Sequence, residues 1–204
     1  MTRDSTATRS KILDAAFEEF TAKGFSGTRV DDIANKAGVN KALLYQYYGD
    51  KDALYRNVLR CKMGEIHKEV GSGDPLEIVG RFFDFHASNP WMARLTQWES
   101  LSNDERELCD EVSRKKRFAE HVKSLKQAQK DGRIDPCLDA EQTLITLMAI
   151  VTYWFLSPQV IRMITSKDPY SPREIAKRRK HVIESARRLL APTDPKGVPD
   201  AIRR

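Results

Sequence analysis

Apolar residues along this chain recur at intervals of three and four, and no segment of useful length alternates apolar with polar, so the sequence predicts an all-α fold. From about Thr8 to Lys23, Ile12, Leu13, Ala16, Phe17 and Phe20 form one apolar stripe, and Gly24 follows where a helix stop is expected. The stretch "TRVDDIANKAG" predicts a second helix. Thr28 and Asp31 have the spacing that satisfies free N-terminal amides, and Val30, Ile33, Ala34 and Ala37 share a face. Gly38 can take the left-handed conformation that ends this helix, and Asn40 is a good N-cap for a third starting at Lys41. Two short helices joined this way make a helix-turn-helix. Asp50 is placed to cap a fourth helix, striped by Leu54, Val58, Leu59 and Met63.

"GSGDP", residues 71–75, is the clearest loop and a candidate boundary. Beyond it the periodicity predicts helices near 75–88, 90–101, 103–131, 138–165 and 172–190, about nine in all, with Pro158 kinking or dividing the fourth of these. The expected organisation is an N-terminal three-helix domain over 1–50, a larger helical domain over 51–190 and a flexible, proline-containing tail over 191–204. The uncharged run from Gln142 to Ile161 nominally reaches the ~20 residues that span a bilayer. Its polar residues leave an apolar centre only from Leu144 to Leu156, which predicts a buried helix and no membrane partner.

Hydrophobic content of 40% with 31% charged residues describes a globular protein that can bury a core. The polar start "MTRDSTATRS" lacks the apolar stretch of a secretory signal, and a cytoplasmic protein is expected. Cys61, Cys109 and Cys137 are odd in number and far apart, fitting three reduced thiols better than disulfides or zinc. The net charge of +6 is equalled by residues 171–204 alone, whereas residues 1–60 carry only +2. A nucleic-acid surface in the N-terminal part must therefore depend on individual side chains. The runs "SRKKR", 113–117, and "AKRRK", 176–180, are expected to be solvated faces or ion-pair partners. Di-iron, H-E-x-x-H, G-x-S-x-G and P-loop signatures are absent, and Ser113 with Lys116 makes only an unspecific S-x-x-K spacing. No enzyme, metal site or cofactor is expected.

Projected at about 100° per residue, "NKALLYQYYGDK" places Leu44 and Tyr48 on one face and Lys41, Ala42, Tyr45 and Gln46 on the other, with Leu43 and Tyr47 at the edges. The exposed group suits a DNA major groove. Lysine can reach guanine acceptors or phosphate, glutamine can pair with adenine, and alanine or leucine can touch a thymine methyl. Tyrosine hydroxyls can donate to phosphate oxygens and fix register.

Residues 9–60, through "ILDAA…F…G", "T…DIA…AGV" and "LYxYYxxKxxL" in order, resemble the DNA-binding domain of the TetR family of bacterial transcriptional repressors. The resemblance implies that the third helix enters the major groove, with Lys41, Ala42, Leu43 and Gln46 facing bases. Tyr45, Tyr47 and Lys51, and Thr28 and Arg29 at the start of the second helix, are implied to hold phosphates. Leu43 stands where the family usually has threonine, so no hydrogen bond comes from that position. Arg29 replaces a frequent small hydroxyl residue and could reach a phosphate or a base edge. The implied partner is a double-stranded, pseudo-palindromic operator; residues alone do not distinguish repressor from activator.

The family also implies a C-terminal domain that dimerises and usually encloses a small-molecule pocket. The Leu144–Leu156 segment is apolar nearly all round and needs cover on more than one side. With the 172–190 helix it suggests a homodimer contact through Leu147, Ile150, Val151, Trp154, Val182, Ile183 and Ala186. Aromatic and polar groups mingle at Phe82, Phe85, His86, Trp91, Met92, Trp98, Tyr153 and Trp154, the candidate pocket for a hydrophobic or aromatic effector.

Overall fold

The computed structural model describes residues 2–101 and 109–192, with side chains from Ser5 onward, and the expected tail beyond 192 lies outside the described residues. Ten helices and no strand occur among the described residues. The first, α1 (Thr2–Gly27), starts earlier than the apolar stripe required and breaks at Gly24, whose φ of 70° and ψ of 177° are non-helical. A Cβ there would also lie 2.7 Å from the Trp98 indole, so glycine is demanded by both backbone and space. Ile12, Ala16 and Phe20 are fully buried, as their spacing predicts.

Helices α2 (Val30–Ala37) and α3 (Lys41–Tyr48) follow, separated by Gly38 in the left-handed conformation. The Asn40 side chain accepts from the Leu43 amide at 2.7 Å, and Asp50 does the same for Ala53 at the start of α4 (Lys51–Val70). Both caps satisfy amides that a helix start leaves free. The Thr28 capping box does not form. Arg29 occupies the N-cap of α2 without a side-chain bond, while the Thr28 hydroxyl turns back to donate to the Gly24 carbonyl at 2.7 Å, with the Glu19 carbonyl at 3.1 Å. The hydroxyl is committed to α1 carbonyls and is withdrawn from the α2 amides.

Compact packing divides the chain differently from the expected 1–50 and 51–190. Described residues up to Lys68, with those of Asn89–Ser113, form one unit; Glu69–Ser88 and the described residues from Arg114 form the other. The reason is aromatic. Tyr55 on α4 packs against Phe20 and Phe25, at ring-centroid distances of 4.9 and 5.3 Å, and binds most of α4 to α1. Trp91 on α6 (Trp91–Leu101) meets Phe17 edge-on at 5.0 Å and brings α6 to the same unit.

The second unit is built around α5 (Pro75–Ser88), α8 (Ala140–Leu156) and α10 (Pro172–Leu190). Phe83 lies 5.3 Å from Phe155, and Arg179 grips Asp84 through two bonds of 2.6 and 2.8 Å, a partner for one of the charges in "AKRRK". Helix α7 (Glu111–Lys130) begins after a turn at Cys109 and Asp110, the latter with a left-handed φ of 57°, and residues 103–108 of the expected 103–131 helix lie outside the described residues. The expected 138–165 helix is two. Ser157 separates α8 from α9 (Pro158–Thr165), which bends away by 81° as a proline at a helix start permits, raising the count from nine to ten. No single helix among the described residues is long and apolar enough to cross a membrane.

Candidate nucleic-acid interface

The α2–α3 pair displays a surface whose parts are fixed from below. Leu44 is fully buried and Ile33 beside it equally so, which sets the rotation of α3. Lys41, Ala42, Tyr45 and Gln46 consequently point outward, Leu43 and Tyr47 lie half-buried at the edges, and Arg29 is exposed at the start of α2. Tyr48 is half-buried and spends its hydroxyl on the Arg9 carbonyl of α1, 2.9 Å away. This face offers a cation, a methyl, an amide and two phenols along one helix, the donor and acceptor set that base edges and phosphates require.

Electrostatics refine the picture. Lys41 is held by Asp31 at 3.0 Å, and the hydrogen bond to that carboxylate raises the ammonium's pKa. Lys36 pairs with Glu18 and Glu19, and Lys23 with Glu19 and Asp32. Lys51 instead rests over the Phe25 ring at 4.5 Å, where burial lowers its pKa. Thr28 is the one expected contact whose side chain is withdrawn: it is 2% exposed and its hydroxyl is committed to α1. Arg9 of α1, which no motif in the sequence singles out, meets the edge of this face. Its guanidinium stands 5.0 Å from the centroid of the Tyr47 ring, although 38 positions separate the two, and no local pattern signals the pairing.

The eight expected effector residues do not form one cluster within either unit. Trp91, Met92 and Trp98 belong to the first, where Trp91 packs on Phe17 and Trp98 against Gly24. Phe82, Phe85 and His86 belong to the second, with ring centroids of Phe82 and His86 4.4 Å apart. His86 is buried, and its Nδ1 pairs with the Phe82 carbonyl at 2.9 Å. The carbonyl only accepts, so Nδ1–H is the donor, and burial lowers the pKa of the ring. Tyr153 faces outward at 49% exposure. Trp154 donates to the Pro169 carbonyl and lines a cavity of about 370 Å³ with Glu174, Arg178 and His181, separate in character from the phenylalanine cluster.

Most of the expected dimer residues face the interior of the chain. Leu147, Val151, Trp154, Val182 and Ala186 are buried within the chain itself, and Ile150 and Ile183 half-buried. The face of α8 left open is the line Ile145, Ala149, Tyr153. Helical periodicity identified the apolar residues, and Phe83 and α10 cover the larger apolar face of α8 within the chain. Among the described residues no group of three or more histidine, cysteine, aspartate or glutamate side chains is placed to hold a metal ion.

An all-helical chain with an N-terminal helix-turn-helix whose second helix presents this polar face is a DNA-binding regulator by class. Comparison with known proteins agrees. Residues 12–58 match the bacterial regulatory proteins of the tetR family, and residues 74–188 match the tetracyclin repressor-like C-terminal domain. The HTH-type transcriptional repressor SCO4008 of Streptomyces coelicolor is 36% identical over 79% of this chain and 85% of its own length. Among solved structures, the putative transcriptional regulator SCO4942 from Streptomyces coelicolor superposes with a TM-score of 0.78 at 26% identity, covering 90% of this chain and 98% of that one. The fold also matches the transcriptional regulator FadR from Bacillus subtilis, solved in complex with stearoyl-CoA, at a TM-score of 0.68 and 20% identity over 89% of this chain and 99% of that one. The chain belongs to the tetR family of bacterial regulatory proteins, and it is a DNA-binding transcriptional regulator.

Proposed function

We propose that the chain represses as a homodimer on a pseudo-palindromic operator and leaves it when a small hydrophobic or aromatic effector binds. The observation that carries the reading is the outward face of α3: Lys41, Ala42 and Gln46 stand clear of the fold while Leu44 locks the helix beneath them. Lys41, Ala42, Leu43 and Gln46 meet base edges; Arg29, Tyr45, Tyr47 and Lys51 hold phosphates. In a symmetric dimer two such helices, about 34–36 Å apart, read successive major grooves.

The open line of Ile145, at 59% exposure, Ala149 and Tyr153 supports α8 as the centre of the dimer contact, since an apolar row of this kind calls for cover. The effector is held in the second unit by the cluster of Phe82, Phe85 and His86, where aromatic walls surround one imidazole. A relative in the same fold that carries stearoyl-CoA supports an apolar ligand. Release requires that the effector bind more tightly to a dimer whose α3 helices are misplaced for DNA, with α4 as the lever.

Sedimentation of the chain alone and with an operator duplex tests the dimer. Wild type is expected to sediment as a dimer with or without DNA, and Ile145→Glu with Tyr153→Glu as a monomer of weakened affinity. A wild-type monomer on DNA would refute the symmetric reading.

A further inference from the structure

We propose that Arg9 of α1 is a phosphate-holding residue of the DNA surface, presented by Tyr47 and fixed in register with α3 by Tyr48. The proposal rests on the reading of α3 as the DNA-contacting helix. Sorting the cations of the helix-turn-helix by partner leaves Arg9, with Arg29 and Lys51 already read as phosphate contacts, among those that no carboxylate of the described residues holds. Lys23, Lys36, Lys41 and Arg56 are each ion-paired to a carboxylate of the same unit. Arg9 is exposed, and among the described residues no carboxylate pairs with its guanidinium; the Tyr47 ring, 5.0 Å away, is what it meets.

That contact differs from an ion pair in what it leaves available. The face of an aromatic ring attracts the cation but accepts none of the N–H donors in the way a carboxylate does, so the fork of guanidinium donors stays open to phosphate oxygens. Position is also provided for. The Tyr48 hydroxyl donates to the Arg9 carbonyl at 2.9 Å, tying this turn of α1 to the end of α3. Tyr47 directly follows the base-facing Gln46, so the charge of Arg9 lies at the border of the reading face. A weakly basic domain gains most from a cation that needs no carboxylate displaced before it meets DNA.

The test compares wild type with Arg9→Ala, Arg9→Lys, Tyr47→Phe and Tyr47→Leu on the wild-type-selected duplex and on an unrelated one, across a series of potassium chloride concentrations. A phosphate contact releases counterions, so Arg9→Ala is expected to flatten the dependence of log K on log salt by about 0.9 per bound subunit. It should weaken both duplexes by a similar factor and leave the selected sequence unchanged. Arg9→Lys should restore the slope. Tyr47→Phe, which loses only a neutral hydroxyl, should keep the slope, and Tyr47→Leu, which loses the ring, should lower it. Arg9→Ala with wild-type slope and affinity would overturn the proposal while leaving the DNA reading intact, as would an altered selected sequence. A wild-type protein that enriches no sequence would overturn both.

Discussion

Lys41 Nζ lies 3.0 and 3.1 Å from the two carboxylate oxygens of Asp31, so the first side chain of the recognition helix is held by its neighbour on α2 before any DNA arrives. The carboxylate both aims the ammonium and competes with DNA for it, and it places a negative charge beside the expected path of the backbone. Asp31→Ala is expected to raise affinity for unrelated duplexes by less than about tenfold and to narrow the margin between them and the operator. Binding titrations on both duplexes measure this; an unchanged margin would mean that Asp31 plays no part in selectivity.

Thr28 separates stability from recognition. Its buried hydroxyl bonds to α1 carbonyls, so Thr28→Val should lower unfolding free energy by about 1–2 kcal/mol while operator affinity of the folded protein stays within about twofold. Urea titration together with DNA titration checks both halves. A large loss of affinity at intact stability would restore the phosphate role implied by resemblance.

Two glycines with positive φ should respond differently to the same substitution. At Gly38, with φ of 68°, nothing lies within 4 Å of an added Cβ, and alanine should cost about 1–2 kcal/mol for the left-handed backbone alone. At Gly24 the Cβ would meet Trp98 at 2.7 Å in a conformation close to glycine-only, and the cost should exceed that of Gly38→Ala by about 1–3 kcal/mol. Denaturant midpoints of the two variants give the difference, and equal losses would contradict the packing described for Trp98.

Sequence reasoning was strongest where a residue's role is local. Gly38, Asn40 and Asp50 punctuate the helix-turn-helix where their chemistry requires, and the burial of Leu44 and exposure of Gln46 follow from spacing alone. It failed where a role depends on what packs from far along the chain. Thr28 has the spacing of a cap, yet carbonyls of α1 take its hydroxyl. Trp91 and Trp98 look like neighbours of His86 in sequence but pack onto α1, and Val151 looks like interface but is covered by the chain's own helices. Arg9 reaches Tyr47 only because α1 and α3 fold together.

His86 makes stability depend on pH with a definite sign. Burial holds its folded pKa below the ordinary value near 6.5, so the unfolded chain takes up a proton first as pH falls. The stabilisation is fully present above that value and is lost as pH drops from about 6.5 toward the lowered folded pKa. Melting temperature should fall more steeply between pH 6.5 and 5 in wild type than in His86→Gln, whose amide can still donate to the Phe82 carbonyl. Parallel slopes would show that His86 is not held neutral.

The central claim is that the outward face of α3 reads DNA sequence, and parallel selection from a random duplex library with wild type and Gln46→Ala tests it most directly. Wild type is predicted to enrich a pseudo-palindrome, and Gln46→Ala to lose preference at one symmetry-related pair of positions while keeping the rest. No enriched palindrome with wild type, or an identical motif with both proteins, would contradict it.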